Sequence, residues 1–330
     1  MKKSTIGGQA VLEGVMMKAP NSIAIAVRRS DGTIEVSKQS TTSIKDKYPI
    51  LKFPILRGII IFGESMVVGV KSLMASAEIY GDEGSEDYKP SKFDTFIAKK
   101  TGKSLDDVAI FFAIFLAIVF AVGLFIVLPA LAASLIRSSI NNYVIVNVLE
   151  GVVRLAIFLI YITLISKMKD IKRVFEYHGA EHKTIHCYEH EEELTVENAK
   201  KFSTLHPRCG TAFLLIVMVI SIFIFSFMGW QNIFLRMLSR ILLLPFIAGI
   251  SYEVTRFAGK SDSKIMKIIM YPGMMLQKLT TREPDELQLE VAIRAFLAAT
   301  GINEEDDINA ASQVDGCSFG GATAAAGEGN

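Results

Sequence analysis

Residues 108–136 carry no charged side chain over 29 consecutive positions. As a helix rising 1.5 Å per residue, that run is roughly 44 Å long, against ~30 Å of hydrocarbon in a bilayer. A buried helix of that length inside a soluble core would be very unusual, so the run is read as a membrane span. Pro129 within it is expected to kink or end the helix near its far side. Composition agrees: 51% of the 330 residues are hydrophobic and 21% are charged, where a soluble domain carries about 25%. This balance excludes a disordered chain. The net charge of +1 gives no electrostatic footprint for nucleic acid.

Three further segments are candidate spans: about 144–166, 211–228 and 237–255. The last holds Pro245, with Arg240 and Glu253 at its ends, and reads as a span or a re-entrant segment. Glu150 and Arg154 in the second lie four residues apart, on one face of a helix, and read as a structural ion pair. Lys and Arg alternate across this frame: 16 in residues 1–107, one in 137–143, eight in 167–210 and six in 256–282. The positive-inside rule then places both termini and the 167–210 loop in the cytoplasm, on a multi-pass protein of the cell membrane. No cleavable signal peptide is expected, because Glu13 interrupts the apolar stretch after Met1-Lys2-Lys3.

The expected fold class is mainly α: a polytopic membrane helix bundle of about four spans. A small N-terminal β-hairpin element and cytoplasmic amphipathic helices accompany it. The hairpin is read from residues 22–29 and 33–39 around Ser30-Asp31-Gly32. Gly7-Gly8 before it reads either as a flexible lead or as a place of close backbone approach. Residues 55–79 are too polar for a clear span and read as an amphipathic helix on the inner leaflet or against the bundle. The division is 1–107 (N-terminal cytoplasmic region, ending in a polar linker from residue 80 with an acidic cluster at Asp82–Asp87), 108–255 (the bundle), 256–302 (surface helices broken at Pro272-Gly273) and 303–330 (an acidic, Gly/Ala-rich disordered tail). Trp230, Gln231 and Asn232 read as an interfacial turn.

All five histidines fall between 178 and 206. His178, His182, His186 and His190 are spaced by four, so neighbours on a helix can meet. Within the row, His178-Gly179-Ala180-Glu181-His182 matches H-x-x-E-H. Two imidazoles at i and i+4 can grip one divalent cation, zinc first among them, with Glu181 beside them as general base. His206-Pro207-Arg208-Cys209 stands at the mouth of the third span. His206 or Cys209 is the leading third ligand, with Glu253 a further candidate, and Arg208 is suited to a substrate carboxylate or phosphate. The bland reading is a solvated helix face beside Glu189 and Glu191–Glu193. His190 is expected at the surface, Cys187 buried or inert, and Cys317 incidental. Three cysteines are too few and too odd in number for a disulfide framework.

The strings GGQAVLEGVMMKAP (7–20), FEYHGAEHKTI (175–185), HPRCGTAFLL (206–215), RFAGKSD (256–262) and YPGMMLQKLTTREPDELQLEVAI (271–293) resemble the YqhQ-like family of bacterial membrane proteins. The resemblance covers nearly the whole chain apart from the tail. It implies a predicted metal-dependent enzyme and carries over to His178, Glu181, His182, Arg208 and Cys209. The functional expectation is metal-assisted hydrolysis of a membrane-associated peptide or lipid-like substrate near the inner membrane surface. The alternative is a scaffold or metal sensor with a closed structural site. Transport is disfavoured, because only the Glu150–Arg154 pair lies deep in the expected spans.

Overall fold

The computed structural model describes residues 5–81 and 105–302, apart from 138, 230, 231 and 262. The acidic cluster at Asp82–Asp87 with most of its linker, the turn residues Trp230 and Gln231, and the tail with Cys317 lie outside the described residues.

The chain opens with four strands, not two: β1 (Gly7–Val11), β2 (Gly14–Lys18), β3 (Ser22–Arg28) and β4 (Ile34–Ser40). They form an antiparallel meander in the order β1-β2-β3-β4. The β3–β4 hairpin falls where the Asp-Gly turn places it, and Asp31 Oδ1 accepts from Thr33 N at 2.7 Å. The β1–β2 hairpin escapes the sequence pattern because its turn has no Gly or Pro at the strained position. Glu13 takes a left-handed φ of 48° there instead. Its carboxylate is held by Arg173 and accepts from Tyr177 Oη at 3.3 Å. That contact is a reason for a non-glycine residue to bear the strained backbone.

Nine helices among the described residues organise the rest: α1 (Leu56–Gly81), α2 (Leu105–Val122), α3 (Leu128–Ile136), α4 (Tyr143–Ile165), α5 (Lys169–Glu189), α6 (Gly210–Ser226), α7 (Ile233–Lys260), α8 (Lys264–Thr280) and α9 (Glu286–Thr300). Shorter turns lie at Ile44–Lys47, Pro49–Lys52 and Val196–Lys200. Four helical stretches among the described residues are long and apolar enough to cross a membrane: Leu56–Gly81, Ile110–Ile136, Tyr143–Ile165 and Phe234–Gly259. The protein is a membrane protein of mainly α class. α6, expected as the third span, has 17 residues and would extend roughly 26 Å. α1, read from the sequence as too polar, meets the length and composition of a span. It works in two halves. Arg57 in its first turn pairs with Glu253 of α7, while Val68, Ala75 and Ile79 pack on the face of the sheet formed by Val11, Met16, Ile25 and Val27.

Pro129 neither ends nor sharply breaks its helix. Residues Gly123–Val127 form a π-turn joining α2 to α3. The cause is local: proline has no N–H to offer the carbonyl four residues earlier, that of Phe125, and its ring crowds it. That carbonyl instead accepts from Arg154 Nε at 2.8 Å.

Arg154 belongs to a larger cluster. Glu150 is 1% exposed and pairs with Arg154 in α4 and with both Arg236 and Arg240 from α7. Three guanidiniums therefore share one carboxylate inside the bundle, and Arg154 and Arg240 also lie over the Phe225 ring, at 5.6 and 5.3 Å. The expected deep pair is half of this group.

The other face of the sheet makes the second core. Val15, Met17, Ala24 and Ala26 pack against Tyr177, Ala180 and Ile185 of α5 and against Leu289, Ala292, Phe296 and Ala299 of α9. α9 is thus a core element rather than a surface helix. Its start is fixed by a capping box between Asp285 and Gln288, as the Asp-x-x-Gln spacing allows. α8 is likewise continuous through Pro272, not broken there, and Met270 packs with Ala212 and Ile216 of α6.

Candidate metal centre

The row of histidines is helical because α5 runs unbroken from Lys169 to Glu189. One side of α5 faces the sheet, and the next faces residues 204–209 and 280–282. Gly179 allows this: a Cβ there would lie 2.0 Å from the Arg282 carbonyl oxygen. The crossing is pinned by Arg282 N donating to Phe175 O at 2.9 Å. The 206 loop is pinned by Gln277, fully buried, whose amide takes the His206 N–H and returns a bond to the His206 carbonyl, both at 2.8 Å.

Those pinned segments supply carbonyls to the imidazoles. His178 Nδ1 lies 2.8 Å from Thr280 O, and His182 Nδ1 lies 2.5 Å from Thr204 O. A carbonyl can only accept, so each Nδ1 carries the proton and each Nε2 keeps its lone pair. Metal-ligating histidines show this same arrangement. His178 Nε2 is 3.2 Å from Cys209 Sγ, and the donor atoms of His178, His182 and Cys209 all lie within 4.8 Å of one another. Cys209 caps α6, its sulfur accepting from Thr211 N at 3.4 Å.

Glu181 stands beside the group, with Oε2 3.9 Å from His178 Nε2 and 3.7 Å from His182 Nε2. Its carboxyl is buried, and burial pushes its pKa up, opposed by the imidazoles of His178 and His206 and by the Gly8 N–H. Gly8 explains the double glycine: a Cβ there would meet Glu181 Cγ at 2.7 Å. The strand is no flexible lead. It delivers backbone to the carboxylate. Burial also pushes His182 down, which keeps that imidazole neutral.

A cavity of about 90 Å³ opens on this group, lined also by Gly7, Gly8, His206 and Arg208. A water in the liquid occupies ~30 Å³, so the space suits a small ligand beside an ion. Gly7 and Gly8 line, in addition, a larger cleft of about 630 Å³ between the sheet edge and α1.

The remaining residues of the sequence reading divide. His206 lines the cavity, but its donor atom groups with His186 and Glu189 rather than with the His178 set. Arg208 also lines the cavity, with its guanidinium paired to Glu189 rather than open to a substrate anion. Glu253 is taken by Arg57. Glu189 is 3% exposed, so this face of the helix is not solvated. His190 is exposed. Cys187 is buried, and burial pushes its thiol up to about 11. The sequence reading missed the carbonyls of Thr204 and Thr280, the backbone of Gly8 and the amide of Gln277. Only the double glycine carried a signal.

The family model described as "Protein of unknown function (DUF1385)" matches residues 53–301. The chain is 37% identical over 291 residues to the "Uncharacterized protein YqhQ" of Bacillus subtilis (strain 168), covering 88% of this chain and 90% of that one. No solved structure matches. A family match that takes in the H-x-x-E-H helix and the Cys209 cap, together with a relative 37% identical over most of both chains, identifies the chain as a member of the DUF1385 family of YqhQ-like proteins.

Proposed function

We propose that this protein is a metal-dependent hydrolase of the cell membrane, binding a divalent cation, zinc first among them, through His178 Nε2, His182 Nε2 and Cys209 Sγ. One observation carries the reading: two imidazoles, each pinned at Nδ1 by a backbone carbonyl, turn their Nε2 atoms toward one thiol. Two nitrogens and a sulfur suit zinc, and three protein ligands leave a position open, as catalytic sites do. A zinc ion there supplies Lewis acidity.

The chain's own groups supply the rest. Glu181 Oε2, within 4 Å of both ligand nitrogens, is placed to take a proton from a water in the cavity. The Gly8 N–H steadies that carboxylate, and the cavity walls limit bulk water. The larger cleft sharing Gly7 and Gly8 offers access for a peptide or lipid-like substrate from the membrane side. The positive-inside pattern supports both termini and this site on the cytoplasmic face, with the bilayer as partner and no nucleic acid. A closed structural site needs a fourth ligand, and His206, the nearest imidazole, turns its donor atom to a different group.

Metal content of detergent-purified protein tests the reading. Wild type is expected to hold zinc at the His178 set, and His182→Ala to lose that ion. Glu181→Gln is expected to keep it while failing to replace wild type in a strain where deletion has a phenotype. Metal content indifferent to His182→Ala contradicts the metal reading. Full complementation by Glu181→Gln contradicts the catalytic one.

A further inference from the structure

The second half of the histidine row repeats the construction of the first. His186 Nε2 lies 3.0 Å from Leu205 O, so the ring is held by a backbone carbonyl, like those of His178 and His182. Its other nitrogen, Nδ1, is buried without a hydrogen-bond partner among the described residues. His206 is 4% exposed, and its Nε2 is likewise buried without a hydrogen-bond partner among the described residues. The two rings have centroids 4.5 Å apart. Glu189, one turn beyond His186 on α5, is also buried and places Oε2 3.5 Å from His206 Nε2. Its other oxygen is held by Arg208.

Two buried imidazole nitrogens without a hydrogen-bond partner among the described residues are costly, because neither has exchanged its bond to water for another. Their donor atoms and the Glu189 carboxylate lie within 4.8 Å of one another. We infer that His186 Nδ1, His206 Nε2 and Glu189 bind a second divalent cation, independent of the ion at the His178 set and sharing no ligand atom with it. Two nitrogens and a carboxylate oxygen suit zinc, iron(II) or manganese(II). Arg208 orients the carboxylate from the oxygen the ion does not take, as outer partners of metal ligands do. The His206 ring, 5.6 Å from that of His182 by centroids, makes the two sets neighbours, so the site is a two-ion centre along one helix face.

The experiment is a zinc titration of detergent-purified, chelator-stripped full-length protein, read as ions bound per chain by elemental analysis. Wild type, His186→Asn, His206→Gln and Cys209→Ser are compared, each checked for folding by size exclusion and circular dichroism. Two ions in wild type and one in each single variant are expected, with none in the His186→Asn, Cys209→Ser double variant. One ion in wild type, kept by His186→Asn and His206→Gln but lost in Cys209→Ser, overturns the second site and leaves the proposed function standing. One ion lost in His186→Asn and kept in Cys209→Ser does the reverse. No ion in wild type overturns both. If a variant fails to fold, wild type decides: two ions uphold the second site, a single ion with sulfur in its X-ray absorption shell overturns it, and a single ion without sulfur overturns the His178 set instead.

Discussion

His178, His182 and His186 are three imidazoles on one helix, and each is held by a carbonyl from outside that helix. The pattern explains how much of the centre could be read from residues alone. Spacing by four announces which histidines can meet, and H-x-x-E-H announces the carboxylate. Neither says which nitrogen is free, because the deciding partners are backbone carbonyls that every residue possesses. Nor could spacing show that His206 turns toward His186 rather than toward His182. The thiols give a residue-scale prediction. In a Cys317→Ser background at pH 8, Cys187 is expected to resist maleimide in the native protein, since burial raises its thiol to about 11 and hides it. Zinc is expected to slow labelling of Cys209. Mass spectrometry of the labelled peptides checks both, and native labelling of Cys187 contradicts its packing. Gly179→Ala is a second prediction. The added methyl meets the Arg282 carbonyl, so a loss of about 1–3 kcal/mol is expected, read as a lower Tm in detergent together with weaker zinc binding. A wild-type Tm and affinity contradict the close crossing.

At the scale of elements, what a helix owes to its own sequence was legible and what it owes to a neighbour was not. The uncharged run, the Glu150–Arg154 spacing and the Asp-Gly hairpin are local signals. Arg236 and Arg240 reach Glu150 only because α7 packs beside α4, and no spacing within either helix reveals that. Pro129 was visible as a disturbance, but its form, a π-turn whose freed Phe125 carbonyl is taken by Arg154, depends on a side chain from another helix. The β1–β2 hairpin stayed hidden because Glu13 occupies a turn position where glycine is the usual signal. Glu150→Gln is expected to cost about 3–5 kcal/mol, because it strips the shared counter-charge from three buried guanidiniums. Thermal unfolding in detergent checks this, with Glu286→Gln, at the exposed pair with Lys200, as the control expected to keep the wild-type Tm. Equal stability of the two variants contradicts the cluster.

Over the whole molecule, the sheet joins the two regions. One face packs on α1, which also pairs with the bundle through Arg57 and Glu253. The other face packs on α5 and α9, and its edge strand carries Gly8 to Glu181. The Cys209 cap ties α6, an apolar helix of the bundle, directly to the histidine helix. The candidate metal centre therefore sits at one end of the bundle, and the Glu150 cluster lies toward the other, where α4 begins. This arrangement makes the site a property of the membrane and sheet regions together. Sequence placed its two halves near one boundary by their positions beside spans, but only the packing brings them to one point. The central claim is that imidazoles from α5 and a thiol from the mouth of α6 share one ion. The most direct measurement is X-ray absorption at the zinc edge of the loaded, detergent-purified protein. A sulfur scatterer at about 2.3 Å alongside nitrogens at about 2.0 Å is expected, with the sulfur lost in Cys209→Ser. A shell of nitrogen and oxygen alone in wild type would contradict the account.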